Sequence, residues 1–64
     1  MRDRLLSGVR ELLNGQVKTL SADIDAILED PTGLTSPTAL ILTKLEEVSK
    51  YQALMEALSG FEDE

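Results

Sequence analysis

The sequence predicts an all-α fold, a two-helix antiparallel hairpin (αα-hairpin), and three observations carry the prediction. Two long stretches place apolar side chains three or four residues apart, the spacing of one helix face. A single dense cluster of helix-breaking residues, Asp30-Pro31-Thr32-Gly33-Leu34-Thr35-Ser36-Pro37, separates them. The connection is short, and helices joined this closely lie side by side and run in opposite directions. On this reading residues 1–64 form one hairpin: helix 1 over about residues 3–29, a loop over 30–36, helix 2 over about 37–59 and an acidic tail over 60–64.

Helix 1 rests on Leu5, Leu6, Val9, Leu12, Leu13, Val17, Leu20, Ile24, Ile27 and Leu28. From Leu6 onward the steps are threes and fours without interruption. At 100° per residue these side chains cover an arc of roughly 160°, wider than a strict coiled-coil seam. Asn14-Gly15 is a pair that often stops a helix, so two readings stand: a break there, or one continuous helix, which the unbroken apolar register favours. In the loop, Ser36 followed by Pro37 reads as an N-cap and first helical residue, because proline lacks an N–H where that donor has no partner anyway. Helix 2 rests on Leu40, Ile41, Leu42, Leu45, Val48, Tyr51, Leu54, Met55, Leu58 and Phe61, and Ser59-Gly60 marks its expected end, with Gly60 just beyond the last turn. Rods of these lengths measure ~40 and ~35 Å. Leu12, Leu13, Leu20, Ile24, Leu45, Val48 and Met55 are the expected seam between them. The hairpin sets Arg2 and Arg4 beside Glu62, Asp63 and Glu64, an electrostatic clasp at the open end.

Composition limits what such a hairpin does. The chain has 64 residues, 12 acidic against 6 basic, with no cysteine, histidine or tryptophan. A net charge of −6 argues against nucleic-acid binding, which needs a basic face to displace counterions from phosphates. The charge is unevenly laid out. Arg2, Arg4, Arg10 and Lys18 outnumber Asp3 and Glu11 over residues 1–18, whereas Asp23, Asp25, Glu29 and Asp30 make residues 19–30 wholly acidic. Charged or polar residues recur every few positions, so no stretch serves as a bilayer span or a secretory signal core. Without histidine or cysteine the commonest general base and nucleophile are missing. Asp23 and Asp25 point to different helix faces, Glu29 and Asp30 precede no oxygen-rich loop, and Thr32-Gly33 is too little for a phosphate cradle. No catalytic residue, cofactor or metal site is expected.

What remains is surface. A chain this short buries little, and it has no disulfide or Cys/His metal site to reinforce it, so association is the expected reinforcement. Both apolar arcs are wider than a single seam covers, and adjacent pairs such as Leu5/Leu6 and Leu12/Leu13 cannot both face one partner. Leu5, Leu6, Leu40, Leu42, Tyr51, Leu54, Leu58 and Phe61 are the expected partner contacts, Tyr51 as an aromatic anchor with a polar tip. A thick core in a compact hairpin is the plainer alternative. Gly8, Gly15 and Ala22 recur every seven residues opposite the apolar arc, which suits close packing by another backbone or simply tolerance of a poor helix. The expected partner is the chain itself, a larger structural protein, or both, as a homo-oligomer or hetero-complex.

Two resemblances bear on this. Leu5-Leu6-Ser7-Gly8-Val9-Arg10-Glu11-Leu12-Leu13-Asn14-Gly15-Gln16-Val17-Lys18-Thr19-Leu20 resembles the first helix of small helical-hairpin structural proteins of tailed bacteriophages, and Lys50-Tyr51-Gln52-Ala53-Leu54-Met55-Glu56-Ala57-Leu58 is similar to the end of their second helix. That resemblance implies a virion component or assembly factor without activity of its own. Ile27-Leu28-Glu29-Asp30-Pro31-Thr32-Gly33-Leu34-Thr35-Ser36-Pro37, with Leu40 and Tyr51, is similar to the proline-containing turn and following helix of type III secretion inner-rod and needle subunits. It implies a rod-type subunit, or a small adaptor or chaperone of that apparatus, in the bacterial cytoplasm or the apparatus itself.

Overall fold

The computed structural model describes residues 1–62 of the chain, which form two helices, α1 (Arg2–Glu29) and α2 (Pro37–Glu62), packed antiparallel as a hairpin. The molecule is a rod of 47 × 15 × 12 Å. Helix α1 runs through Asn14-Gly15 without a break. The apolar side chains on both sides of that pair belong to one row, and packing that row against α2 outweighs the roughly 1 kcal/mol by which a helical glycine falls short of alanine.

The turn between the helices is built from local chemistry. The Asp30 N–H donates to the Ala26 carbonyl at 3.1 Å and closes α1. The Asp30 carboxylate then accepts the Thr32 N–H at 3.1 Å, and the hydrogen bonds from Thr32 hold that carboxyl below its ordinary pKa. The Leu34 N–H reaches back to the Pro31 carbonyl at 3.2 Å, making a β-turn with Thr32 and Gly33 at its centre. Gly33 has φ +84°, the left-handed value that the third position of a type II turn requires. The Ser36 carbonyl accepts the Leu40 N–H at 3.1 Å, so Ser36 occupies the N-cap position and Pro37 the first helical one, as the Ser-Pro step predicts.

The seam is a strict heptad row. On α1 the buried and half-buried positions are Leu6, Arg10, Leu13, Val17, Leu20, Ile24 and Ile27, and on α2 they are Pro37, Ile41, Lys44, Val48, Tyr51, Met55 and Leu58, with Ser59 beside them. Both rows alternate steps of four and three, the knobs of a coiled-coil packing. Arg10 meets Ser59 and Asp23 meets Lys44 across the helices, a register that sets Leu13 about level with Met55, Leu20 with Val48 and Ile27 with Ile41. Leu13, Leu20 and Ile27 are the buried core, and no side chain among the described residues is fully enclosed.

This corrects the expected seam in two places. Leu12 is 65% exposed and Leu45 50% exposed, because each stands about 100° around its helix from the row that faces the partner. Leu13, Leu20, Ile24, Val48 and Met55 line the seam as expected, and Ile27 joins them. The end of α2 is corrected as well. The helix continues to Glu62, so residues 60–62 belong to it and Gly60 lies inside it rather than just beyond it. Cross-helix bonds from α1 fasten that last turn, and a local stop signal yields to them. Asp63 and Glu64, the rest of the expected acidic tail, lie outside the described residues.

Candidate interaction surface

The open end of the hairpin is held by Arg10. Its Nε donates to both carboxylate oxygens of Glu62 at 3.1 Å, and its Nη2 donates to Glu62 and, at 3.0 Å, to the Ser59 hydroxyl. Ser59 Oγ in turn donates to the Met55 carbonyl at 3.1 Å. The hydrogen bond and then the charge of Arg10 hold the Glu62 carboxyl below its ordinary range, and Glu62 correspondingly raises Arg10. The Arg2 guanidinium donates to the Phe61 carbonyl and so caps the last turn of α2. The clasp observed among the described residues is Arg10–Glu62, a pair the expectation did not name, with Arg2 on the Phe61 carbonyl; Asp63 and Glu64, two of the expected acidic partners, lie outside the described residues. At mid-length Lys44 Nζ lies 3.4 Å from an Asp23 carboxylate oxygen.

A shallow cavity of about 250 Å³ opens at this end, lined by Asp3, Leu6, Ser7, Arg10 and Glu62. Arg10 and Glu62 in its lining neutralise one another, which leaves the Asp3 carboxylate as its net charge. No group of three or more metal-capable side chains occurs among the described residues, nor is any described helix long and apolar enough to cross a membrane.

Eleven large hydrophobic residues are exposed among the described residues, and the helix geometry sorts most of them into two flanks. Arg2, Val9, Gln16 and Asp23 form one seven-residue row on α1 beside the seam, with Leu5 and Leu12 adjacent. Leu40, Glu47, Leu54 and Phe61 form the matching row on α2. Antiparallel packing brings like rows to the same side, and the bonds from Arg2 to Phe61 and from Lys44 to Asp23 lie there. Near the open end this flank therefore carries Leu5, Val9, Leu12, Leu54 and Phe61, each between 44% and 65% exposed. The opposite flank carries Leu28, Leu42 and Leu45, all exposed, near the loop.

Of the residues expected to contact partners, Leu5, Leu40, Leu42, Leu54 and Phe61 stand exposed. Leu6, Tyr51 and Leu58 are instead half-buried in the heptad rows and belong first to the hairpin seam. Tyr51 keeps an accessible edge, with Lys50 Nζ 5.9 Å from its ring centroid. Val9 and Leu12 belong to the exposed face although the expectation omitted them. The seven-residue row Arg2-Val9-Gln16-Asp23 was the signal that could have found Val9. Gly8, Gly15 and Ala22 lie exposed along the back of α1, and a Cβ at Gly8 or Gly15 would meet nothing within 4 Å. No part of the hairpin packs on that stripe. No protein-family profile, characterised protein or solved structure matches this chain.

Proposed function

We propose that the protein is a non-enzymatic assembly protein that works in many copies by docking its exposed leucine faces onto a larger structure, as a structural component of a tailed-phage virion. The carrying observation is the disproportion, among the described residues, between a core of three buried side chains and eleven large hydrophobic residues left exposed. Scattered surface leucines are ordinary, but here they gather in rows on two flanks of a thin rod, the pattern of helices that pack on neighbours. The likeness of residues 5–20 and 50–58 to phage hairpin proteins supports the virion as the larger structure.

Density-gradient fractionation of particles from cells that encode the chain, read with an antibody to it, tests this. A virion component bands with the particles in many copies per particle. A chain that remains in the free-protein fraction contradicts the virion reading, and one that instead bands with secretion-apparatus preparations favours the rod or adaptor reading drawn from the loop.

A further inference from the structure

Resting on that assembly reading, we infer that the hairpin's first partner is a second copy of itself. The two copies dock through the open-end leucine flank, overlapping there with their loop ends pointing apart. The flank has what a self-interface needs. From Leu5 to Leu12 on α1, and from Leu54 to Phe61 on α2, its two rows carry no charged residue, so two copies close over it without burying an unpaired charge.

The area is sufficient. Leu5, Val9, Leu12, Leu54 and Phe61 at their observed exposures present on the order of 500 Å² of apolar surface, or about 1,000 Å² across a pair before neighbouring atoms are counted. That equals the roughly 1,000 Å² a biological interface has to clear and places the contact among weak, reversible ones. It also adds a third and fourth helix to a seam in which no described side chain is fully enclosed, giving a four-helix bundle over the overlapped half.

Charge selects the arrangement. Further along the same flank stand Glu47 and Asp23, the latter paired with Lys44, and the neighbouring segment 19–30 is wholly acidic in its charged residues. Two hairpins aligned side by side, loop against loop, would set each of these near its own copy. Overlapping only the open halves carries the acidic loop ends to opposite extremes of the dimer. An anionic lipid surface is a poor occupant for the face, because the chain carries −6 and, of the arginines near it, Arg2 is engaged with the Phe61 carbonyl and Arg10 with Glu62.

Sedimentation velocity of the full chain from about 1 to 200 µM tests the inference. The wild type is expected to shift from 7.0 kDa to twice that mass within the range. Leu12→Arg and Leu5→Arg should each weaken dimerisation at least tenfold, with a helical circular dichroism equal to that of wild type diluted to the same monomer fraction, since both residues are exposed in the single hairpin. Leu42→Arg, comparably exposed on the other flank, should leave the constant as it is. A wild type that stays monomeric to 200 µM overturns the inference, as does a dimer broken by Leu42→Arg and indifferent to both other variants. The particle-banding result is independent of this one, so a monomeric chain that still bands with particles removes the self-partner and leaves the assembly reading standing.

Discussion

Leu20 sits at the middle of the buried row and is 7% exposed, the most enclosed of the three core side chains. Replacing it with aspartate puts a carboxylate in the apolar middle of the row, where the seam's Lys44 is already paired with Asp23. The expected cost is about 3 kcal/mol or more, enough to unfold so small a unit. Circular dichroism of Leu20→Asp should show the helices lost, whereas Glu46→Ala on the exposed back of α2 should stay within about 0.5 kcal/mol of wild type. Gly33 is the one residue with a left-handed φ among the described residues, so Gly33→Ala should destabilise by about 1–2 kcal/mol in chemical denaturation despite the open space around it. Glu62 adds a pH dependence. Its pKa is lowered in the folded state, so its contribution is present above the ordinary value of about 4.5 and is lost as pH falls through the folded value. Asp30, lowered by Thr32, acts in the same direction. The thermal midpoint of the wild type should therefore drop on acidification below about pH 4.5, and Glu62→Gln should flatten part of that drop while lowering the midpoint at pH 7. An unchanged acid profile in Glu62→Gln would mean that the Arg10 pairing contributes nothing in solution.

At the scale of elements, the two helices and their turn were legible because each rests on a local signal: threes and fours in the apolar spacing, then Pro-Thr-Gly and Ser-Pro. The seam was less so. Its rows pass through Arg10 and Lys44, charged positions that a count of apolar residues steps over. Skipping them leaves adjacent pairs such as Leu12/Leu13 undecided, and only the axis of the partner helix chooses between them. The end of α2 was misjudged for a related reason. Gly60 is a local stop signal, whereas Arg2 and Arg10, more than 45 residues away in sequence, hold the last turn. The exposed flanks required the seam to be known first, which is why Val9 and Leu12 were missed and Leu6 and Leu58 misplaced. The continuity of α1 through Asn14-Gly15 carries its own prediction. Because a Cβ at Gly15 meets nothing, Gly15→Ala should raise stability by about 1 kcal/mol in denaturant titrations. A loss of stability instead would show that the glycine stripe is packed against something in solution.

The whole molecule is a thin rod whose apolar surface exceeds what one seam hides. The two helices share one interface, while each carries apolar residues around more of its circumference than that interface spans. On the proposed assembly reading, association is part of the folding equilibrium and not a later event, since burial of the leucine flanks would contribute to holding the hairpin together. The most direct test is the thermal midpoint of the purified chain measured across a hundredfold range of concentration, followed by far-ultraviolet circular dichroism. If association completes the hairpin, the midpoint rises steadily with concentration and the dilute chain is only partly helical. A sharp, fully helical transition at a midpoint that does not move with concentration would contradict the account.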